Sequence, residues 1–405
     1  MGQLEIVFLG LGVIPLPPGD EAAGVEEFAY RLATSLTSPK CQVHMIDIVG
    51  GPHQNEERRK SNIVFHQVKT IRLPPPRSIS SPLSRYIITK FRTFLFAFQA
   101  TMVLIRLLRL RRIDIIHAHI GPLAVSALMA RSLAGASSRV VLTSHYGALM
   151  RPLTWRNWLF NATEILPMRW VDHLVVNTPS VQMSVIAQLR LKPGCTSVIT
   201  TPAGLTDADV AQTLRESKSP HASFDVLCAG TINRGKNQFA LLKAVPTVVS
   251  AFKGVRFIFC GAIGDVHYYD LICDFVARNN LSNHVIFKGM VSRRELFRLY
   301  AASRIFAFVS TVESQGVVLL EAMAFGLPVI ASDIQPIIDV VKSNHASAIL
   351  VNPSDSREIA KAIIRVLSDE KCWLSMSQSA RHLAGQHSWA RAASEYMSLY
   401  GIAVT

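Results

Sequence analysis

The sequence predicts an α/β protein built on parallel, doubly wound sheets. The clearest observation is the stretch 304–333, where a buried strand, a polar loop, a helix and a second strand follow one another. Arg304–Ser310 is a short run rich in Ile, Phe and Val, as expected for a strand buried on both faces. Good helix formers fill residues 316–325, and a Gly and a Pro stop the helix before the next strand begins at Val329. A right-handed crossover of this kind joins neighbouring strands of a doubly wound sheet.

Length and composition favour a globular protein with large cores. The chain has 405 residues, which suggests two or three domains. Its hydrophobic content of 49% and mean hydropathy of +0.28 are high, but no run approaches the ~18 uncharged apolar residues of a membrane span. No transmembrane helix is therefore predicted. The first residues carry Glu5 and lack a basic segment, which favours a buried strand over a signal peptide. The six cysteines lack metal-ligand or redox spacing, which predicts free thiols in a reducing cytoplasm.

The positive charge of the chain is concentrated in its first half. The net charge is +14. Residues 1–205 contain 22 Lys and Arg against 11 Asp and Glu, whereas residues 206–405 contain 20 against 17. A basic first half suits an anionic partner such as a membrane surface or a lipid phosphate. Nucleic acid ranks last among such partners because no nucleic-acid motif accompanies the charge.

The loop between the two predicted strands carries candidate binding groups. Glu313 lies just ahead of the helix, and Glu321 lies within it, about two turns deeper. The backbone amides of Ser314, Gln315, Gly316 and Val317 fall at the helix N-terminus, where unpaired N–H groups and the helix dipole favour an anion such as phosphate. Carboxylates beside an anion site would repel phosphate, so the two acids are expected to bind hydroxyl groups.

This segment closely resembles the nucleotide-sugar site of retaining glycosyltransferases, family 4 in particular. The resemblance rests on two Glu separated by seven residues, followed by Ala-Met-Ala-x-Gly-x-Pro-Val-Ile-Ala-Ser. It implies the GT-B fold, with two facing Rossmann-like domains. It also implies that Glu313 contacts the hydroxyls of the donor sugar, that the 314–317 backbone contacts sugar and diphosphate, and that Glu321 contacts the ribose. The alternative is a buried strand–helix–strand unit whose acids are caps or solvated.

The first half of the chain contains a series of short apolar runs that predict strands. A loop between the first strand and the first helix contains Ala23-Gly24-Val25-Glu26. The family has a Gly-Gly pair before a Glu at this place, which implies a phosphate-facing backbone at Gly24; an ordinary turn glycine is about as well supported. The predicted strands of this half are residues 4–14, 42–49, 63–72, 113–118, 140–143, 174–177 and 197–200.

Three histidines lie at or just after the ends of two of these strands. The run 114–119, Asp-Ile-Ile-His-Ala-His, resembles the family's strand-end signature, whose second His, here His119, faces the catalytic cleft. We expect His117 to be structural and to point to the other side of the strand. The run Thr143-Ser144-His145-Tyr146-Gly147 resembles the family's Thr-x-His-Gly edge, which places His145 near the acceptor. A metal site is the alternative, but no third ligand is apparent.

Residues 85–112 predict one long helix that mixes aromatic and basic side chains. Its outer face would suit an anionic membrane surface. The alternative is a domain helix with one buried face and a basic C-terminal end, which the helix dipole favours. The two interpretations are compatible along one helix.

The second half opens with a predicted linker, residues 206–223, and a strand, residues 224–229. The linker contains Asp207-Ala208-Asp209, which we interpret as a helix start rather than a metal site. After the strand, the family commonly has Gly-Arg, four residues and then Lys, with Arg and Lys gripping the diphosphate. Lys236 matches the Lys, Thr231 replaces the Arg, and Arg234 is close enough to substitute.

The resemblance covers nearly the whole chain and predicts its division. We expect a first Rossmann-like domain on the acceptor side over 1–205, a nucleotide-sugar domain over 224–385, and a last helix, 386–405, packing on the first domain. The predicted activity is transfer of a sugar from a nucleoside-diphosphate donor to a hydroxyl acceptor, with retention and without a metal. Lys236 and the 314–317 amides would stabilise the leaving diphosphate, and His119 and Glu313 would act at the sugar.

Two other functions remain open at the level of sequence. A nucleotide-sugar isomerase or epimerase of the same fold would form product from donor alone. A non-catalytic nucleotide-sugar binder is favoured only by Thr231. No cofactor is predicted beyond the donor as co-substrate. The expected acceptor is a glycan or lipid-linked glycan of the cell envelope, and the expected location is cytoplasmic, with a peripheral position on the membrane as a hypothesis.

Overall fold

The computed structural model describes most of the chain. The described residues are 3–11, 16, 24–49, 61–69, 82–145, 161–217, 221, 223–341 and 345–401. They form two compact units. The first unit comprises Met1–Thr200 with Trp389–Thr405, and the second unit comprises Thr201–Ser388. The six cysteines all lie within the described residues and are free thiols.

The first unit is built on a parallel sheet of seven strands. The strand order is β3-β2-β1-β4-β5-β6-β7, and every neighbouring pair is parallel. The inner strands β4 and β6 are fully buried and mostly apolar, with one histidine each, as expected of a sheet covered on both faces. The strands are β1 Leu4–Leu9, β2 Cys41–Ile48, β3 Val64–Val68, β4 Ile115–Ala118, β5 Arg139–Thr143, β6 His173–Val176 and β7 Thr196–Val198.

Helices in the described part of the first half cover this sheet, four of them with defined bounds. The longest, α2, buries Phe96, Ala100 and Leu104 in the core that β1, β4 and β5 also enter. Its segment Lys90–Leu110 is the one stretch among the described residues that is long and apolar enough to cross a membrane by length and composition. Within it, 44% of an 18-residue stretch is buried. The four helices are α1 Gly24–Leu36, α2 Pro82–Leu110, α3 Gly121–Ala134 and α4 Pro179–Leu189.

The second unit is built on a parallel sheet of six strands in the order β10-β9-β8-β11-β12-β13. Its strands are β8 Asp225–Ala229, β9 Arg256–Cys260, β10 Val285–Gly289, β11 Ile305–Phe308, β12 Val329–Ser332 and β13 Ala348–Val351. Its helices are α5 Asp207–Glu216, α6 Gln238–Ala251, α7 Val266–Arg278, α8 Arg293–Ala302, α9 Val317–Ala324, α10 Gln335–Val341, α11 Ser356–Ser368 and α12 Glu370–Gln386.

The last helix, α13 (Trp389–Leu399), belongs to the first unit. Buried hydrogen bonds attach it there. The hydroxyl of Tyr396 lies 2.8 Å from that of Thr143, and the hydroxyl of Tyr400 lies 2.7 Å from Nδ1 of His117. The chain thus returns to its first unit after completing the second.

The segment predicted as a linker, residues 206–223, contains a helix. Residues 207–216 form α5, which belongs to the second unit. The side chain of Thr206 accepts a hydrogen bond from the amide of Asp209, and the Asp209 carboxylate accepts one from the amide of Thr206. This capping box confirms the helix-start interpretation of the Asp pair.

Each sheet reverses its strand order beside its first strand. In the second unit, β8 pairs with β9 on one side and with β11 on the other. Doubly wound sheets bind ligands outside the carboxyl ends of the strands at such a point. The loops that follow β8 and β11 therefore define where a ligand site of the second unit is expected.

Candidate active site

Two loops meet at the carboxyl edge of the second sheet and are held together by hydrogen bonds. The amide of Thr311 donates to the carbonyl of Gly235 at 2.8 Å. The side chain of Asn237 donates to the carbonyls of Val309 (3.1 Å) and Pro353 (2.8 Å). These contacts bring the loop that follows β8 close to the loop that follows β11. Both loops contain residues that the sequence predicts to bind the donor.

The pair formed by Lys236 and Glu313 lies where these loops meet. Nζ of Lys236 donates to Oε1 of Glu313 at 2.6 Å, and the Glu313 side chain is only 9% exposed. The Lys236 ammonium also lies 5.3 Å from the ring centre of Phe308. The structure therefore places an ammonium, a group able to bind phosphate oxygens, directly beside a carboxylate, a group able to accept hydrogen bonds from hydroxyls.

The N-terminus of α9 follows this pair. Gly316 has φ +84°, and a Cβ there would lie 2.8 Å from the Phe308 ring and 3.1 Å from Ile337, so only glycine fits. Gly316, the residue before the helix, supplies no side-chain cap. The amides of Ser314 to Val317 were predicted to bind sugar and diphosphate, and the geometry of α9 presents a helix N-terminus at that place.

Gln315 has a structural role that the sequence did not indicate. Its side chain is 1% exposed. Its Nε2 donates to the carbonyl of Thr201 at 2.7 Å, and its Oε1 accepts from the Thr201 amide at 2.8 Å. The side chain is therefore committed to the backbone of Thr201, and only the backbone of Gln315 is left for a ligand.

Gln315→Leu is expected to lower the free energy of unfolding by about 2 kcal/mol, because the substitution removes both buried hydrogen bonds to Thr201. Urea denaturation measures this. The matched control is Gln335→Leu, whose side chain bonds Asp339 at an exposed position. Equal stability of the two variants would contradict the role of Gln315.

Glu321 lies in a buried cluster with Arg293 and Tyr300. Its Oε1 is 3.5 Å from Nη2 of Arg293, and its Oε2 accepts a hydrogen bond from the Tyr300 hydroxyl at 3.2 Å. Burial, and then the charge of Glu321, raise the pKa of Tyr300 well above its ordinary value. A Cβ on Gly204 would lie 2.7 Å from Arg293 and 2.8 Å from Glu321, so this glycine admits the cluster. Arg293 and Tyr300 are residues that sequence reasoning missed.

Arg234 and Thr231 are directed towards a different neighbour. Nε of Arg234 lies 3.5 Å from the carboxylate of Asp265, and its guanidinium lies 5.8 Å from the ring centre of Tyr268. A Cβ on Gly264 would meet the methyl group of Thr231 at 2.6 Å. The side chains of both residues thus lie against the loop after β9, whereas Lys236 faces Glu313.

The first unit has its own pocket at the carboxyl ends of β4 and β5. It has a volume of about 270 Å³. His119 and His145 line it, and both ring nitrogens of His119 and Nε2 of His145 are buried without a hydrogen-bond partner among the described residues. Such groups would be satisfied by a ligand rich in hydroxyls.

The prediction that His117 and His119 point to opposite sides is wrong. Their ring centres lie 4.5 Å apart. Side chains two positions apart in a strand share a face, and the rings pack together for that reason. His117 is structural: Nε2 bonds the Thr143 hydroxyl at 2.8 Å, and Nδ1 bonds Tyr400.

All three histidines are held in the neutral form. Burial lowers the pKa of His117 to about 3 and that of His145 to about 4. Burial, and then the neighbouring histidines, place the pKa of His119 well below its ordinary value. Neutral rings can each donate one hydrogen bond and accept another, which suits hydroxyl recognition.

Stability is expected to fall in mild acid because of these histidines. Below 6.5, the pKa of an unperturbed histidine, the unfolded chain binds more protons than the folded one. The free energy of unfolding should therefore have its full value at neutral pH. It should fall as the pH drops towards 4, by about 1.4 kcal/mol per pH unit for each neutral histidine. Urea denaturation along this range measures the slope. His145→Asn should reduce it, and exposed His382→Asn should not; equal slopes in the two variants would contradict this.

The rim of the pocket contains an ion pair that the sequence did not indicate. Lys90 of α2 lies 3.6 Å from Glu164. The Glu164 carboxylate also accepts a hydrogen bond from the amide of Gly121 at 2.9 Å and so caps α3. Ile120, the residue before α3, supplies no side-chain cap. In the sequence, the absence of a capping residue beside α3 was the available signal. The residue that caps α3 lies 43 residues away, and no sequence pattern identifies it.

Gly24 begins α1, and a Cβ there would meet nothing within 4 Å. Residues 17–23 before it lie outside the described residues, as do Tyr146 and Gly147 after His145. The phosphate-facing role of Gly24 stays a prediction.

Sequence models of two related families match the two units separately. The model described as Glycosyl transferases group 1 matches residues 210–383, and the model described as Glycosyltransferase Family 4 matches residues 22–203. Together they account for most of the chain. The chain belongs to the group 1, family 4 type of glycosyltransferases.

Curated relatives agree with this assignment. The glycosyltransferase is 27% identical over 183 residues to an uncharacterized glycosyltransferase of Methanocaldococcus jannaschii, with 44% of this chain and 45% of the relative covered. It is 26% identical over 245 residues to the D-inositol 3-phosphate glycosyltransferase of Corynebacterium aurimucosum, with 58% of each covered. It is 30% identical over 187 residues to O-antigen chain mannosyltransferase B of Escherichia coli, with 43% of this chain and 45% of the relative covered. The chain spans about half the length of the curated relatives it matches.

Solved structures show that the glycosyltransferase has the GT-B fold. Anabaena HepE, in complex with UDP and glucose, superimposes with a TM-score of 0.71 at 18% identity, covering 98% of this chain and 100% of HepE. Sucrose-phosphate synthase of Thermosynechococcus elongatus gives a TM-score of 0.70 at 18% identity, covering 98% of each chain. The predicted fold class is confirmed.

No group of three or more His, Cys, Asp or Glu side chains in the described part of this glycosyltransferase is placed to share a metal ion. Asp209 of the Asp-x-Asp pair caps α5 instead. Metal-independent chemistry remains a prediction.

Proposed function

We propose that this glycosyltransferase transfers a sugar from a nucleoside-diphosphate donor to a hydroxyl acceptor with retention of anomeric configuration. The observation that carries the proposal is the Lys236–Glu313 pair beside the N-terminus of α9. A cation and a helix N-terminus suit a diphosphate, and the adjacent carboxylate suits sugar hydroxyls. HepE, a structural relative, was solved with UDP and with UDP-glucose.

The proposed roles follow from these contacts. Lys236 would leave Glu313 to bind the diphosphate, and Glu313 would turn to the sugar. The bond between the anomeric carbon and the diphosphate oxygen breaks as the acceptor oxygen attacks from the same face. The leaving phosphate takes the proton of the acceptor hydroxyl. Lys236 and the amides of α9 offset the charge that develops on the leaving group, in place of a divalent cation.

The pocket of the first unit is proposed as the acceptor side. His119 and His145 are neutral, and both ring nitrogens of His119 and Nε2 of His145 are buried without hydrogen-bond partners among the described residues, which fits a ligand with several hydroxyls. A glycan or lipid-linked glycan of the cell envelope has this chemistry. The mannosyltransferase relative acts, by its name, on an O-antigen chain.

Donor-dependent thermal stabilisation tests the proposal. A ligand that binds the native state raises the midpoint of unfolding by mass action. UDP-, GDP- and ADP-sugars are compared on wild type, and one of them is expected to raise the midpoint. No shift with any donor would contradict a nucleotide-sugar site.

Product analysis separates transfer from the alternative reactions. The donor that binds is incubated with and without an added glycan acceptor, and the anomeric configuration of the product is read by NMR. A product that requires acceptor supports transfer. A product from donor alone would indicate an isomerase or epimerase, and binding without turnover would indicate a nucleotide-sugar binder.

A chelator tests the metal-independent step. Turnover in excess EDTA should equal turnover without it, and loss of activity that Mg²⁺ or Mn²⁺ restores would contradict metal independence.

A further inference from the structure

The outward face of α2 is apolar over residues 91–102. Phe91, Phe94, Phe98 and Met102 are 49%, 67%, 64% and 57% exposed. Spacings of three and four residues place them on one side of the helix. We call these four residues the outer stripe.

Packing among the described residues of the first unit does not account for the outer stripe. The core of the unit takes the opposite face of α2, through Phe96, Ala97, Ala100 and Leu104. A surface helix normally turns polar residues outward and apolar ones inward. In α2 large apolar residues face outward, which marks an interaction surface.

Basic residues continue the same surface. Arg106 and Arg109 follow the outer stripe at helical spacing and are exposed. Two more arginines follow the end of the helix. The Arg111 side chain is 55% exposed and lies 3.6 Å from the carboxylate of Glu5. The Arg112 side chain is 92% exposed and lies 3.4 Å from the carboxylate of Asp114. Neither α2 nor α3 contains an acid. Arg109 also donates to the carbonyl of Leu133 of α3 at 3.4 Å, beside the exposed Leu133 side chain.

We propose that the outer stripe of α2 docks on an anionic membrane surface, with its arginines at the lipid head groups. Aromatic and Met side chains enter the interfacial layer, and arginines at one end bind lipid phosphates. A second copy of this chain would bring the same arginines together, which like-charge repulsion opposes. Crossing the membrane is excluded by the inner face of α2, which belongs to the core of the unit.

The position of the pocket gives this docking a consequence. Lys90, in the same turn of α2 as Phe91, lines the pocket that contains His119 and His145. On the basis of the proposed function, the acceptor is therefore carried by a membrane lipid, and docking holds its sugar near that pocket.

Vesicle sedimentation tests the docking without reference to activity. Wild type is mixed with vesicles of phosphatidylcholine and phosphatidylglycerol, and with vesicles of phosphatidylcholine alone. Wild type should sediment with the anionic vesicles. The variant Phe94→Ser/Phe98→Ser/Met102→Ser should bind them at least about tenfold more weakly, since it removes the apolar contribution. All three positions are exposed, so the core is untouched.

A matched control removes three exposed apolar side chains elsewhere, Met183→Ser/Leu271→Ser/Leu374→Ser, and should bind as wild type does. Arg106→Gln/Arg109→Gln should weaken binding to anionic vesicles and reduce its salt dependence. Equal vesicle binding by the stripe variant and wild type would overturn the proposal. So would a wild-type dimer, seen by sedimentation in the absence of lipid, that the stripe variant abolishes.

The donor thermal shift separates this proposal from the proposed function. A stripe variant that binds donor normally but not vesicles supports docking whatever the acceptor is. Vesicle binding by wild type with no donor shift would leave docking intact and contradict the proposed function instead. If transfer to a soluble glycan and to a lipid-linked glycan fell equally in the stripe variant, the lipid-linked acceptor would be contradicted.

Discussion

Lys236→Met is expected to reduce kcat by about 10²- to 10³-fold, the loss typical of removing one preorganised group that stabilises developing charge. The variant loses the ammonium proposed to bind the diphosphate while keeping an unbranched side chain over Phe308. It also leaves Glu313, 9% exposed, without the cation 2.6 Å away, so the free energy of unfolding should fall by about 1 to 3 kcal/mol. Steady-state kinetics with the donor identified by thermal shift measures the first effect, and urea denaturation the second.

The matched control for Lys236 is Arg256→Met. Arg256 forms a two-point ion pair with Asp225 at 2.7 and 2.8 Å, at the opposite, amino end of β8. Loss of this ion pair should lower the free energy of unfolding without a specific loss of kcat. Adding Glu313→Gln to Lys236→Met should restore stability but not activity. If the Lys236→Met variant had a kcat near that of wild type, the proposed role of Lys236 in the mechanism would be contradicted.

Glu321→Ala is expected to have the second large effect, on both stability and donor binding. The substitution leaves the guanidinium of Arg293, which is 17% exposed, without its carboxylate, and removes the acceptor of the Tyr300 hydroxyl. The free energy of unfolding should fall by about 3 kcal/mol. The thermal shift given by the donor should be lost, because Glu321 is proposed to bind the ribose.

Glu321→Gln distinguishes the two effects. The amide oxygen can still accept from Tyr300, so much of the stability should return while donor binding stays weak. The control is Asp274→Ala, which breaks an exposed ion pair with Arg278 in the same unit and should cost less than about 1 kcal/mol. A Glu321→Gln variant that binds donor as tightly as wild type would assign Glu321 to structure alone.

The second unit was largely predictable from its sequence because its signals are local. The strand starting at Val329 and the helix between it and the preceding strand were expected from apolar runs and a Gly stop, and the structure has them as β12 and α9. The helix α5 illustrates the limit of composition. The Asp pair indicated a helix start, but the polar composition around it favoured a linker and did not predict a helix of ten residues.

Long-range pairing could not be read from the sequence. Gln315 with Thr201, Glu164 with Gly121 and Arg293 with Glu321 join residues far apart in the chain, and no local pattern specifies them. The wrong orientation predicted for His117 has a different cause. The two-residue periodicity of a strand places His117 and His119 on the same face, so the correct orientation was available from the sequence. The site residues taken from the resemblance remain predictions that the experiments above decide.

The return of α13 to the first unit has a consequence for biosynthesis. Tyr396 and Tyr400 supply buried partners to Thr143 and His117 and fill the same core cluster as β1 and β2. A chain emerging from the ribosome makes these strands early but must add the entire second unit before the two tyrosines arrive. Domains whose sequence is continuous can fold as they emerge. The sequence of the second unit is continuous. The second unit can therefore reach its final packing before the first unit, whose strands are synthesised earlier, receives its last helix.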